Sequence, residues 1–183
     1  QRRNSMKIAI TGHTVGLGLA IYDQLSPNHS VNGYSRSTGF DIGNCIDQLV
    51  PLIRDSDVFI NNAYHPTGQT ELLKRMYAEW QDQPKLIINI GSSSAHNKKF
   101  LRPEVSHLYV VAKTEQRRFI DQECNIDLEP YVCNFTPGLI DTPRVTHVNN
   151  NKLDTKQLAI MVENVIQLHT QGITVNQLVI TPN

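Results

Sequence analysis

Residues 8–20 read I-A-I-T-G-H-T-V-G-L-G-L-A, and this stretch decides the fold. Ile8, Ala9 and Ile10 form a short apolar run of the kind that makes a buried strand. Gly12, Gly16 and Gly18 follow, and Leu17, Leu19, Ala20, Ile21 and Leu25 recur as one face of a helix. Strand, glycine turn and helix together suit a pyrophosphate. Glycine has no Cβ to hold the backbone away from a ligand. The helix start offers unpaired N–H groups and the positive end of the dipole to phosphates. The spacing is G-x-x-x-G-x-G rather than the G-x-G-x-x-G dinucleotide fingerprint. A glycine triplet alone also fits an ordinary tight turn; the flanking strand and helix favour the ligand turn.

Outward from that stretch, strands and helices alternate. Residues 30–35 (S-V-N-G-Y-S) read as a second strand, and F-D-I at 40–42 as a very short one directly after it. Asn44 can cap a helix to about Arg54, with Ile46, Leu49, Val50 and Ile53 inward and Pro51 kinking or splitting it. Strands are expected over 58–60, 85–90, 131–135 and 175–180. Helices are expected over 70–81, with Leu72, Leu73, Met76 and Trp80 on one face, over 108–124, and over 155–169 behind an Asp154 cap. The segment 95–107 reads as a charged loop. The alternation predicts an α/β fold: a Rossmann-like, doubly wound parallel sheet of about six or seven strands with helices on both faces.

Length and charge narrow the class. Residues 1–5 read as a cloning remnant or disordered lead, leaving 6–183 for one domain with its own core. Lys plus Arg equals Asp plus Glu, 17 against 17, with no charge block, which argues against nucleic acid or a membrane surface as partner. No apolar run approaches the roughly 20 residues that span a bilayer. No secretory signal is read. Cys45, Cys124 and Cys133 make an odd count without a C-x-x-C pair; they read as reduced packing residues of a cytoplasmic protein. No metal site is expected.

Two constellations carry chemistry. Tyr109 and Lys113 lie four apart on the long helix and share one face. An ammonium beside a phenol favours the phenolate, and a phenol tuned that way can give or take a proton near neutral pH. The alternative is an ordinary pair on a solvated helix face. Ser92-Ser93-Ser94 ends a core strand, where open α/β sheets bind ligands. A serine there can hydrogen-bond a substrate carbonyl, or simply cap a turn.

Together these residues resemble the short-chain dehydrogenase/reductase family, as an unusually short member. The pieces occur in the family's order over nearly the whole chain: T-G-x-x-x-G-x-G at 11–18, N-N-A at 61–63, N-x-x-S at 89–92, Y-x-x-x-K at 109–113 and P-G-x-x-x-T at 137–142. The resemblance implies a catalytic set of Ser92, Tyr109 and Lys113. Tyr109 would be the general acid in reduction and the base in oxidation. Lys113 would bind the nicotinamide ribose hydroxyls and lower the tyrosine pKa. Thr11, Gly12, Gly16 and Gly18 would shape the phosphate turn, with His13, Thr14, Val15 and Leu17 between them. Asp41 and Ile42 would lie beside the adenine, and Asn61, Asn62 and Ala63 would hold the central strand end and the ribose side. Pro137, Gly138, Ile140 and Thr142 would line the nicotinamide carboxamide. Ser92 stands 17 residues before Tyr109 and Ser94 15, wider than the family's habit, which implies a short insertion within 95–107.

Three departures stand out. The helix between the second and third family strands is missing, the family's extra asparagine has no clear match over 72–80, and the segment after Thr142 is short for a substrate lid. Ser35, Arg36 and Ser37 follow the second strand with no acid before Asp41, which favours NADP, with NAD as the alternative. His13 could approach the same phosphate, or serve the turn alone. The leading expectation is an NADP-dependent oxidoreductase acting on a carbonyl or alcohol, working as a homodimer or homotetramer. The alternatives are a non-catalytic nucleotide-binding module and a nucleotide-sugar epimerase.

Overall fold

The structure, a computed structural model, describes residues 5–95, 106–124, 126–143, 146–147 and 151–183. Six strands form one parallel sheet: β1 (Lys7–Thr11), β2 (Ser30–Tyr34), β3 (Val58–Asn61), β4 (Leu86–Ile90), β5 (Tyr131–Pro137) and β6 (Gln177–Ile180). Five helices join them: α1 (Gly16–Leu25), α2 (Ile46–Arg54), α3 (Gly68–Glu79), α4 (His107–Glu123) and α5 (Thr155–Thr170). The strand order is β2-β1-β3-β4-β5-β6. After β2 the chain crosses back over β1 to β3, so the order reverses between β1 and β3. In such sheets the crevice for a ligand opens there, beyond the strand carboxyl ends.

The central strands are apolar along their length because both faces are covered. One face buries Ile8, Ile10, Val58, Ile60, Leu86, Ile88 and Phe135 against α1 and α5. The other buries Ala9, Phe59, Ile87 and Val132 against α2, α3 and α4, with Leu72, Leu73, Met76 and Trp80 of α3 all fully buried. The carboxylate of Asp154 accepts hydrogen bonds from Lys156 N at 2.8 Å and Gln157 N at 2.9 Å, capping α5 as predicted.

Several expectations need correction. Residues 40–42 make no strand; they form a turn in which Ile42 is buried and Asp41 Oδ1 accepts from Gly43 N at 2.9 Å. Asn44 does not cap α2; Cys45 holds that position without a side-chain cap, and its thiol donates to Asp41 O at 2.8 Å. Helix α2 is not split at Pro51 but runs through it, with the proline on the exposed side. Leu19 is 40% exposed, so the inward face of α1 is Leu17, Gly18, Ile21 and Leu25. Helix α3 begins at Gly68, earlier than expected. The charged segment of residues 96–105 and much of the stretch after Thr142 lie outside the described residues.

Candidate functional site

The glycine turn closes over the carboxyl end of β1. Gly12 and Gly16 take φ of +72° and +61°, a left-handed backbone that side chains disfavour. Gly18 is required for space: a Cβ there would lie 2.0 Å from Gly12 O and 2.5 Å from Asn62 Nδ2. The turn is tied to β3. Thr11 Oγ1 accepts from Asn62 N at 3.1 Å and Ala63 N at 3.0 Å, while Asn62 Nδ2 donates to Thr11 O at 3.0 Å and Gly12 O at 3.2 Å. The position before α1 is Val15, which supplies no side-chain cap and is 55% exposed. Among the described residues, no side chain of the N-cap position hydrogen-bonds the first N–H groups of α1. This cradle fits a pyrophosphate by shape and by dipole.

Thr142 comes to the same turn from the loop after β5. A Cβ on Gly16 would lie 3.3 Å from Thr142 Cγ2. Pro137 is buried at the end of β5, Gly138 N donates to Ile180 O at 2.7 Å, and Ile140 bridges to Leu153. Asn61 is fully buried and its side chain faces α3 and β4, donating to Gln69 O and Asn89 Oδ1 at 3.0 Å each. It braces the strand ends.

Beyond β2, residues Arg36–Thr38 form a single 3-10 turn. Ser35 is buried and its hydroxyl is used within the turn, 2.9 Å from Ser37 Oγ. Ser37 Oγ in turn donates to Thr14 Oγ1 at 3.1 Å, joining this turn to the glycine turn. Arg36, Ser37 and Thr14 are exposed. His13 packs its ring on β2, where a Cβ on Gly33 would lie 2.3 Å from it, and sits 5.2 Å from the Tyr22 ring. Its Nδ1 is buried without a hydrogen-bond partner among the described residues.

Tyr109 and Lys113 lie on the inner side of α4. The Tyr109 ring is 4.9 Å from the ring of Tyr64, which directly follows the N-N-A stretch. Lys113 is 3% exposed, with Nζ 5.6 Å from the Tyr109 ring centre and 6.0 Å from that of Tyr64. The ammonium donates to Ile90 O at 2.6 Å, Gln69 Oε1 at 2.8 Å and Gln116 Oε1 at 3.5 Å. Burial pulls its pKa from 10.5 down to about 7. This corrects the solvated-face reading of the pair. Two of the lysine's hydrogen bonds are short and the third, to Gln116, is long. Ser92 is 7% exposed, and its hydroxyl oxygen accepts from Ser94 N at 3.2 Å, a turn-capping contact that leaves its O–H to donate.

Gln69 was missed by sequence reasoning. It occupies the first turn of α3, just before residues 72–80, and it is fully buried. Its signal is a glutamine three residues ahead of Leu72, where the apolar face Leu72-Leu73 begins. Cys133 is buried and its thiol pushed up to about 12, as suits a packing residue.

No protein-family profile and no curated protein matches the sequence. Solved structures do. A short-chain dehydrogenase from Burkholderia cenocepacia J2315, solved in complex with NADP, is 18% identical with a TM-score of 0.73 over 96% of this chain and 87% of that one. A 4-hydroxyisoleucine dehydrogenase complexed with NADH is 17% identical with a TM-score of 0.75 over 98% of each chain. A ribose-5-phosphate isomerase from Brucella melitensis 16M is 18% identical with a TM-score of 0.75 over 98% of this chain and 92% of that one. The chain has the Rossmann-like fold of the short-chain dehydrogenase/reductases. One fold hosts different chemistries, so function must come from the site.

Proposed function

We propose that this protein is an NADP-dependent oxidoreductase of the short-chain dehydrogenase/reductase type, acting on a carbonyl or alcohol. The observation that carries this reading is the meeting of a glycine phosphate cradle with a half-buried tyrosine beside a buried lysine at the carboxyl ends of one sheet. The cofactor, when bound, supplies the hydride. Gly12, Gly16, Gly18 and the start of α1 would hold its pyrophosphate. Tyr109 would hold the proton, giving it to a carbonyl oxygen in reduction and taking it from an alcohol in oxidation. Lys113, held close by, would stabilise the phenolate by its charge. Ser92 would donate its O–H to the same oxygen and orient it.

Matched structures carry NADP in one case and NADH in another, so cofactor choice rests on this chain's own groups. Arg36 stands exposed after β2, beside the hydroxyls of Ser37 and Thr14. The first acid, Asp41, turns its carboxylate to Gly43 N. A cation with hydroxyls and no facing carboxylate suits a 2′-phosphate. Leu108 and Val111 are 63% and 42% exposed on α4, which supports pairing of two copies through this helix. The three free thiols support a cytoplasmic setting.

A second reading, a non-catalytic nucleotide-binding module, is favoured by one observation: protein oxygens take two short hydrogen bonds from the Lys113 ammonium. Equilibrium titration of NADPH and NADH tests what both readings share. Tighter NADPH binding is expected; failure of both nucleotides to bind would exclude the two together.

A further inference from the structure

On the sheet face covered by α3 and α4, a cluster of buried amides surrounds a single ammonium. Asn61, Asn89 and Asn134 stand at matched register positions on β3, β4 and β5. Their side chains form a ladder. Asn61 Nδ2 donates to Asn89 Oδ1 at 3.0 Å; Asn89 Nδ2 donates to Asn134 Oδ1 at 3.3 Å and to Gln116 Oε1 at 3.4 Å. Gln69 joins the ladder to the lysine. Its Nε2 donates to Asn61 O at 2.9 Å and Ile90 O at 3.3 Å, and its Oε1 accepts from Lys113 Nζ at 2.8 Å. Exposure of all six side chains, Lys113 included, runs from 0% to 3%.

Polar side chains are costly to bury, and one residue earlier in the inward register the same strands fill this face with Phe59, Ile87 and Val132. The change from apolar to amide at the strand ends coincides with the arrival of the ammonium. A lysine ammonium has three donors. Here two make short bonds, to Gln69 Oε1 and Ile90 O, and the third reaches Gln116 only at 3.5 Å. Among the described residues no carboxylate pairs with Lys113. The titratable groups facing it are Tyr109 from α4 and Tyr64 from the loop after β3; α3 and β4 present only amides and carbonyls to it.

We infer that Gln69 is a positioning residue: its carbonyl oxygen fixes the Lys113 ammonium, while its amide locks that oxygen to the ends of β3 and β4. The lysine then acts on Tyr109 through a charge held at fixed distance. The long bond to Gln116 is the one a ligand hydroxyl can replace at least cost. The catalytic meaning of this rests on the proposed function; the positioning does not. Because burial already brings Lys113 to about 7, the acceptors around it decide its charge near neutral pH. Removing an acceptor that bonds the charged form more strongly than the neutral amine lowers the pKa further, and adding a carboxylate raises it.

The test follows the Nζ titration of Lys113 by NMR on isotope-labelled lysine side chains in the full chain, assigned by its loss in Lys113→Met. Wild type should titrate near 7. Gln69→Leu should lower the midpoint by about one pH unit, the size expected for loss of a hydrogen bond to a charged group. Gln69→Glu should raise it, which keeps the test alive if the leucine variant does not fold. NADPH affinity, read by fluorescence, should fall about tenfold in Gln69→Leu. Wild-type midpoints in folded samples of both variants would overturn the inference. If the midpoints shift as stated while neither nucleotide binds the wild type, the positioning stands and the proposed function falls.

Discussion

Replacing Lys113 by methionine should change how stability depends on pH, in a direction and size that the structure dictates. Lys113 is 3% exposed, and burial lowers its pKa from 10.5 to about 7. Between those values the unfolded chain carries a proton that the folded chain has released. Stability therefore rises with pH across that window, and the cost of burying the charge is complete below about 7. The slope is ~1.4 kcal/mol per pH unit. From about pH 6 to about pH 9, wild type should gain about 3 kcal/mol relative to Lys113→Met, most of it above pH 7. Methionine retains much of the length and removes the charge, though Ile90 O and Gln69 Oε1 each lose a donor. That loss costs about 1–3 kcal/mol per group but does not vary with pH, so it drops out of the difference. Urea denaturation of both proteins at about pH 6, 7.5 and 9 gives the two profiles. Parallel profiles would refute the argument, because they would mean that Lys113 keeps its proton on folding.

Other outcomes follow from named contacts. Gly18→Ala places a Cβ 2.0 Å from Gly12 O, so the turn must open; a stability loss of about 1–3 kcal/mol in thermal unfolding and at least tenfold weaker NADPH binding are expected. Arg36→Ala should weaken NADPH far more than NADH in equilibrium titrations, by about tenfold or more for a lost charged hydrogen bond; equal weakening would dismiss Arg36 as the phosphate reader. If α4 pairs two copies, the double variant Leu108→Glu, Val111→Glu should convert a dimer or tetramer to monomer in light scattering, because both side chains are exposed in the isolated chain. A clean monomer mass for the wild type would remove the oligomer from the account.

The fold was legible because its strongest signals are local. The β1–turn–α1 stretch carries its periodicity and its glycines together, and four short apolar runs mark the core strands. Where reading failed, tertiary context decided. The 40–42 run looks apolar enough for a strand, yet Ile42 is buried and Phe40 half-buried from a turn in which Asp41 Oδ1 accepts from Gly43 N. Leu19 fits the helical face by spacing but lies outside the arc that meets the sheet. In the site, Tyr109 and Lys113 were visible as a spacing, and the glycines as a motif. The amide cluster was not, because Asn61, Asn89, Asn134, Gln69 and Gln116 are far apart in sequence and meet only through strand register and the approach of two helices.

The central claim is that Tyr109 supplies the proton for a hydride transfer from NADPH. It is tested most directly by following NADPH oxidation in the presence of a panel of aldehydes, ketones and quinones, for the wild type and for Tyr109→Phe. The account predicts substrate-dependent oxidation by the wild type and a fall of roughly 10²–10⁴-fold in the variant, with NADPH affinity little changed. Turnover unchanged in Tyr109→Phe would contradict the role of the tyrosine, and tight NADPH binding with no oxidation across the whole panel would contradict the enzyme reading in favour of a nucleotide-binding module.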